Sequence, residues 1–216
     1  MEIVIVGGHG KVAMRLHPLL VASGHSVRAL IRNPDQASAV RQAGAAPIIC
    51  DIEALGDISD AVGSAHAVIF AAGAGPGSGA ARKLTMDRDG AIKLIKAAEA
   101  NGIRRYLMIG SFHADDDYGE GVYRTYKQAK SEADRALRES GLDYTIIRPG
   151  RLTEEPGSGR IALGPRLKGA EIPRADVAAL LAAVLENDGT IGRQWEATGG
   201  DTPIGQAIAE AAKLGR

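Results

Sequence analysis

The chain has 216 residues, of which 45% are hydrophobic and 24% are charged, a composition typical of a globular protein. Its 26 basic and 26 acidic residues balance, which argues against a dedicated nucleic-acid-binding protein, because such proteins usually carry a basic excess. Cys50 is the single cysteine, which excludes an internal disulfide and a multi-cysteine metal site, and the 5 histidines show no metal-ligand spacing.

Short apolar, β-branched runs alternate with helical patterns as far as Gly150. The predicted strands are Glu2–Val6, Val27–Ile31, Pro47–Cys50, Ala67–Ala71, Arg105–Ile109 and Tyr144–Ile147. The helices predicted between them are Lys11–Ser23, Pro34–Ala43, Ile58–Val62, Ala81–Asn101 and Val122–Ser140. Strands separated by helices of this length indicate βαβ units and a parallel sheet covered on both faces. The sequence therefore predicts an α/β fold, a doubly wound parallel sheet of the Rossmann type.

The character of the sequence changes after Gly150. Residues 151–172 are rich in glycine, proline and charge, with one short apolar piece at Ile161–Leu163. The remaining patterns predict a helix at Ala175–Leu185, a strand at Arg193–Ala197 and a helix at Ile204–Ala212. We expect residues 1–216 to form a single domain, in which residues 151–216 are a small cap that contributes to the substrate pocket.

The strongest local motif follows the first predicted strand and reads Gly7-Gly8-His9-Gly10-Lys11-Val12-Ala13. A turn this tight needs residues without a Cβ. A pyrophosphate can then approach backbone N–H groups at the positive end of the following helix. The alternative is a purely structural turn, but the position at the first βα junction favours a dinucleotide site over Gly7, Gly8, His9, Gly10, Lys11 and Val12.

The end of the second predicted strand distinguishes the two nicotinamide dinucleotides. An NAD site normally has an acidic residue there for the ribose 2′-hydroxyl, whereas an arginine favours the 2′-phosphate of NADP. Arg32 directly follows this strand, and no acidic residue occurs before Asp35. The sequence therefore favours NADP over NAD. Further cofactor contacts are expected at the ends of the next two strands, from Asp51, Ile52, Ala71, Ala72 and Gly73.

Several segments together point to one family. The most informative are IVIVGGHGKVA, ALIRNP, VIFAAGAG, MDRDGAIKLIKAAEANGIRRYLMIGS, YKQAKSEADRALRESGLDYTIIRPG and RADVAALLAAVL. In their order the sequence resembles the short-chain dehydrogenase/reductase superfamily. Within it, the sequence is similar to the atypical branch of small NAD(P)-binding Rossmann proteins, which includes NmrA-like proteins and proteins named NAD-dependent epimerases/dehydratases.

The resemblance implies a catalytic set of a serine after the fifth strand and a Tyr-x-x-x-Lys pair on the next helix. Ser111 occupies the first position. The pair is either Tyr126 with Lys130 or Tyr123 with Lys127, and Tyr126 with Lys130 fits the family register better. In the family the tyrosine exchanges a proton with a substrate oxygen. The lysine lowers the pKa of that tyrosine and binds the nicotinamide ribose, a cofactor contact that would here fall to Lys130.

The resemblance also assigns a role to the long helix before the fifth strand. Many members carry an asparagine there that organises a proton path, and the atypical branch tends to carry an aspartate. Asp89 occupies this position in the motif. An ionised carboxylate has no N–H donors, so it does not simply replace the amide.

These patterns predict an NADP-dependent oxidoreductase that acts on a small carbonyl or alcohol substrate. Two alternatives remain open: a non-catalytic NADP-binding redox sensor of the NmrA-like type, and a flavin or tetrapyrrole reductase that needs no tyrosine. The amino terminus MEIVIVGG has no secretory pattern, and the apolar runs are shorter than the ~18 residues that span a bilayer. We expect a cytoplasmic protein with no nucleic-acid or membrane partner, and a homodimer is compatible with the sequence.

Overall fold

The computed structural model describes residues 1–75, 77–169 and 171–214. Its strands in chain order are β1 (Glu2–Val6), β2 (Ser26–Ile31), β3 (Ala46–Ile49), β4 (Ala67–Phe70), β5 (Arg105–Ile109), β6 (Asp143–Pro149), β7 (Arg151–Thr153), β8 (Arg160–Gly164), β9 (Glu171–Pro173), β10 (Arg193–Gly199) and β11 (Thr202–Pro203). Its α-helices are α1 (Ala13–Ala22), α2 (Ala37–Gln42), α3 (Ser59–Val62), α4 (Ala80–Arg82), α5 (Gly90–Ala100), α6 (Val122–Glu139), α7 (Arg174–Leu185) and α8 (Ile204–Lys213).

Within these residues nine strands form one sheet in the order β11-β8-β10-β6-β5-β4-β1-β2-β3. Strands β1 to β6 and β10 pair in parallel, whereas β8 runs antiparallel to β10 and to β11. The predicted Rossmann-type α/β fold is therefore confirmed. The chain builds outward from β1 to β3, then continues on the other side of β1 with β4. Such a switch point places a ligand crevice at the carboxyl ends of β1 and β4.

Alternation along the strands fills two apolar cores, one on each face of the sheet. In β1, Ile3 and Ile5 belong to the core shared with α1, α7 and α8, whereas Val4 and Val6 belong to the core shared with α3, α5 and α6. All four side chains are fully or almost fully buried. The sheet is therefore covered on both faces, and its strand ends are where a site can form.

The structure differs from the sequence prediction at several boundaries. Helix α1 begins at Ala13 rather than Lys11, because Gly10 to Val12 belong to the turn that leads into it. The helix predicted at Pro34–Ala43 is a 3-10 turn at Pro34–Gln36 followed by α2. The helix predicted at Ala81–Asn101 runs from α4 to α5 through a π-helical segment at Lys83–Asp89. The short parallel pair of β7 and β9 was not predicted.

Both edge strands of the large sheet contain a proline. Strand β3 includes Pro47, which lies opposite Ala29 of β2, and β11 ends at Pro203, which lies opposite Arg160 of β8. No helix within the described ranges has the length and hydropathy needed to cross a membrane.

Candidate active site and cofactor cleft

A glycine loop joins β1 to α1 at the carboxyl edge of the parallel strands. Gly7 has a φ of +81°, in the left-handed region that glycine adopts without strain. The Gly10 N–H donates to the Gly7 carbonyl oxygen over 2.8 Å and closes the turn. In the described chain no side chain caps the start of α1, and its first turn has no acidic residue. Such a helix start leaves backbone N–H donors for an anion.

The loop is held by close packing against two neighbouring segments. A Cβ on Gly7 would lie 2.6 Å from the Cα of Ala72, and a Cβ on Gly8 would lie 2.5 Å from the Cβ of Ala29. From α1, the buried His17 places its Nε2 atom 2.6 Å from the Gly8 carbonyl oxygen. Burial lowers the pKa of His17, so its neutral ring donates the Nε2 proton to that oxygen. Packing against Ala72 and Ala29 therefore fixes the backbone conformation of the loop, and the hydrogen bond from His17 stabilises it.

A cavity of about 340 Å³, which we call the loop cavity, lies over this loop at the ends of β1, β2, β3 and β4. Most of the predicted cofactor residues line it: Gly7, Gly8, His9, Gly10, Arg32, Asp51, Ile52, Ala71, Ala72 and Gly73. The structure thus brings together residues from four separate strand ends. The cavity fits a nucleotide whose phosphates lie on the glycine loop and whose base reaches towards β3.

Two arginines and one glutamate stand at the outer end of the loop cavity. Arg32 and Arg82 both line the cavity. Arg82 donates to the carboxylate of Glu53 from Nε and Nη2 over 3.0 and 2.9 Å, and Arg32 approaches the same carboxylate at 3.4 Å. Burial raises the pKa of Glu53, but hydrogen bonds from Arg82 and Thr85 lower it by more, so the carboxyl is ionised. The sequence prediction missed Arg82 and Glu53, which meet only through folding.

A larger cavity of about 1070 Å³, which we call the serine cavity, adjoins the loop cavity. Residues 71–73 line both cavities, so they form one continuous cleft. Lys11 and Val12 of the glycine loop open onto the serine cavity, together with the predicted catalytic residues Ser111, Tyr126 and Lys130. Among the residues that the structure describes, no cluster of histidine, cysteine, aspartate and glutamate side chains is arranged to hold a metal ion.

Lys130 lies at the floor of the serine cavity and is buried. Its Nζ donates to the Ile109 carbonyl oxygen over 3.1 Å and lies 3.3 Å from Oδ1 of Asp87. Burial lowers the pKa of Lys130, but the charges of Asp87, Tyr126 and Asp134 raise it by more. The side chain is therefore a fixed ammonium next to the half-buried Tyr126.

The carboxylate next to Lys130 belongs to Asp87, two positions before the Asp89 of the family motif. Asp87 is 1% exposed and lines the serine cavity. The side chain of Asp89 is 39% exposed and pairs with Arg88 over 2.7 Å, so the structure does not bring it to the catalytic cluster. Asp87 is one of the buried residues of the π-helical segment Lys83–Asp89, which packs against α6.

The alternative pair, Tyr123 and Lys127, also faces the serine cavity. Lys127 donates to Oγ of Ser111 over 3.1 Å and to the Phe112 carbonyl oxygen. Its Nζ lies 4.9 Å from the ring centre of Tyr118 and 5.3 Å from that of Tyr123. Tyr123 itself is 56% exposed. Both predicted pairs therefore reach the cavity, with Ser111 bonded to the lysine of the second.

Comparisons with known proteins relate this chain to NAD(P)H-binding proteins. The profile of a protein family described as NAD(P)H-binding matches residues 7–188. The chain is 37% identical to an uncharacterised sugar epimerase, YhfK of Bacillus subtilis, over 96% of this chain and 99% of the relative.

Two solved structures are similar over nearly the whole chain. One is a Bacillus halodurans protein assigned provisionally to the NAD-dependent epimerases/dehydratases; it is 39% identical with a TM-score of 0.92 and covers 97% of this chain and 99% of its own. The other is the oxidoreductase YlbE of Lactococcus lactis, which is 27% identical with a TM-score of 0.85 and covers 99% of this chain and 97% of its own.

Proposed function

This chain belongs to the NAD(P)H-binding family, and we propose that it is an NADP-dependent oxidoreductase of the atypical short-chain dehydrogenase/reductase type. Its substrate is a small carbonyl compound or the corresponding alcohol. The similarity to the oxidoreductase of Lactococcus lactis supports this reaction class.

The observation that carries the proposal is the meeting of Ser111, Tyr126 and Lys130 in a cavity continuous with the glycine loop. A dinucleotide held on the glycine loop would supply or accept the hydride. Tyr126 donates a proton to the carbonyl oxygen, and the Lys130 ammonium stabilises the negative charge that the Tyr126 oxygen then gains. The Ser111 hydroxyl donates to the same carbonyl oxygen and fixes its position. Asp87 is a positioning residue, because it holds Lys130 in place.

The choice of NADP rests on the outer end of the loop cavity. The guanidinium groups of Arg32 and Arg82 both meet the carboxylate of Glu53, and Asp51 also lines this cavity. A 2′-phosphate matches guanidinium donors in charge and geometry. The competing assignment is that Glu53 accepts the 2′-hydroxyl of NAD.

Cofactor titration with the Arg32→Glu variant distinguishes these assignments. We expect NADPH affinity to fall at least about tenfold more than NADH affinity, because a charge-assisted contact is lost only with the 2′-phosphate. The matched variant Glu53→Gln should weaken NADH binding if Glu53 holds the 2′-hydroxyl, and should leave or improve NADPH binding if the arginines hold the phosphate. Equal losses of both cofactors in Arg32→Glu contradict the NADP assignment.

Oxidation of NADPH against a panel of aldehydes, ketones, quinones and flavins tests the reaction. Tyr126→Phe should lower kcat by about 10²- to 10⁴-fold, as expected for loss of a general acid. Tyr123→Phe is the matched control, since it removes a hydroxyl from the same helix and cavity. Tight NADPH binding without turnover would favour a redox sensor. Turnover that survives both substitutions would favour a reductase that needs no tyrosine.

A further inference from the structure

The wall of the serine cavity is strongly cationic although the whole chain has a formal net charge of zero. Among its described lining residues the only carboxylate is Asp87. The cationic lining residues are Lys11, Lys83, Lys127, Lys130, Arg151 and Arg174. An excess of one sign in a cleft with low-dielectric walls concentrates ligands of the opposite sign.

Carboxylates compensate the cations at the rim and at the floor of the cavity. Glu154 lies 2.7 Å from Lys11 and 2.8 Å from Arg174, and Glu171 pairs with Arg151. At the floor, Asp87 compensates Lys130, as described above. These four cations therefore do not by themselves require an anionic ligand.

Lys83 and Lys127 differ from the other cations of the cavity wall. They are 8% and 5% exposed, and within the described part of the chain neither forms an ion pair with a carboxylate. Lys127 uses two of its three N–H donors, on Ser111 and Phe112, and Lys83 donates to the Gly75 carbonyl oxygen over 2.7 Å. Both side chains are therefore largely buried, and both ammonium groups keep unused donors that can face the cavity.

The carboxylates nearest to Lys127 are committed elsewhere. Glu196 is buried and accepts the backbone N–H groups of His113 and Leu167 over 2.9 and 2.8 Å. Asp116 pairs with Arg166 over 2.9 Å. Burial lowers the pKa of Lys127, and the distant charges of Asp116 and Glu196 offset this only in part. A buried cation of this kind is costly until an opposite charge reaches it.

We propose that the substrate carries an anionic group, a carboxylate or a phosphate, that binds Lys127 in the serine cavity, with Lys83 adding positive charge from the π-helical segment Lys83–Asp89. This inference rests on the proposed function, because it describes the substrate whose carbonyl Ser111 and Tyr126 bind. The position of Lys127 beside Ser111 separates it from the glycine loop, where the phosphates of the dinucleotide belong.

The first test compares matched substrates on the NADPH-saturated enzyme: a 2-oxo acid with its methyl ester, and a phosphorylated aldose with the free aldose. The anionic member of the preferred pair should have a kcat/KM about 10- to 100-fold higher, mainly through KM, as expected for a charge-assisted contact. Lys127→Gln should reduce this ratio to near unity, whereas Lys127→Arg should retain most of it. Lys96→Gln, which removes a charge from the exposed side of α5, should leave the ratio unchanged. The preferred pair distinguishes carboxylate from phosphate.

The second test measures binding rather than turnover, and its first step uses the wild-type protein. Malonate and inorganic phosphate are titrated calorimetrically into the wild-type protein saturated with NADPH. One of them should bind, and Lys127→Gln and Lys83→Gln should each weaken that binding about tenfold or more. Because the dinucleotide site is already filled, this binding reports the serine cavity.

The outcomes separate the two proposals. Anion binding without reduction of any carbonyl compound overturns the proposed oxidoreductase activity but supports an anion site at Lys127. Equal kcat/KM for anionic and neutral substrates, with no binding of malonate or phosphate, overturns the anion site and leaves the oxidoreductase standing. A preference for anions that survives in Lys127→Gln also overturns the assignment to Lys127.

Discussion

Replacing Gly7 by alanine adds one methyl group to the glycine loop and tests both the packing of the fold and the role of the cofactor cleft. In Gly7→Ala the new Cβ would lie 2.6 Å from the Cα and 2.7 Å from the backbone N of Ala72. Ordinary contacts between such atoms are about 3.5–4.0 Å. Ala72 follows β4 at the centre of the sheet, so it cannot move away without disturbing the parallel strands. The loop itself must therefore move.

The control is Gly24→Ala, at the turn between α1 and β2. Gly24 has a φ of +80°, almost equal to that of Gly7, but a Cβ there would meet no atom within 4 Å. Both variants carry the left-handed backbone cost of about 1–2 kcal/mol and the same change in the unfolded chain. Gly7→Ala adds an overpacking cost of about 1–3 kcal/mol. We therefore expect the free energy of unfolding to fall by about 2–5 kcal/mol in Gly7→Ala and about 1–2 kcal/mol in the control.

Urea unfolding measures this difference, and a fluorescence titration with NADPH measures its effect on the cleft. We expect NADPH affinity to fall at least about tenfold in Gly7→Ala and to remain unchanged in Gly24→Ala, because only the first variant moves the loop. Equal losses of stability in the two variants would show that the contact with Ala72 is not rigid. Normal NADPH affinity in a folded Gly7→Ala protein would refute the assignment of the loop as the phosphate site.

Two further predictions concern the supports of the site. Asp87→Asn should lower the free energy of unfolding by about 3 kcal/mol and reduce kcat, because it removes the carboxylate that pairs with the buried Lys130. Asp89→Asn should lower the free energy of unfolding by less than about 1 kcal/mol. Burial lowers the pKa of His17, so as the pH falls below about 6.5 the unfolded chain takes up a proton at this residue before the folded chain does. The free energy of unfolding should therefore decrease as the pH is lowered through this range. His17→Leu should lose this component and, without the bond to Gly8, weaken NADPH binding.

Each of these predictions has a contrary outcome. Equal effects of the two aspartate substitutions on kcat would mean that the ion pair with Lys130 does not position it. For His17, unfolding is followed by urea titration at several pH values between about 5 and 8. If the stability difference between wild type and His17→Leu does not change over that interval, the imidazole is not kept neutral by burial.

The features that sequence reasoning predicted well depend on local patterns. Strand β1 occupies the predicted residues, because a β-branched run that ends in glycine specifies a buried strand without help from the rest of the chain. The glycine loop is equally local. By contrast, β7 and β9 have three residues each, too few to show a period, and they form only because they meet each other.

The parts of the site that were missed depend on contacts between distant residues. Arg82 and Glu53 are 29 positions apart and lie on separate elements, so no spacing rule connects them. The bond from Lys127 to Ser111 likewise depends on how α6 packs over the end of β5. Asp87 lies two positions before the Asp89 of the family motif, and its contact with Lys130 depends on how the π-helical segment packs against α6.

The prolines at the two edges of the sheet have a consequence for how this protein meets other copies of itself. The Cys50 N–H donates to the Ile31 carbonyl oxygen of β2. Because backbone N–H groups point to alternate sides along a strand, the backbone nitrogen of Pro47 faces the open edge of the sheet. It offers no N–H to an incoming strand, and β11 at the far edge is two residues long and ends in Pro203. Edge-to-edge pairing between copies of the large sheet, the usual route from a long β-sheet to fibrils, is thereby disfavoured at both of its edges.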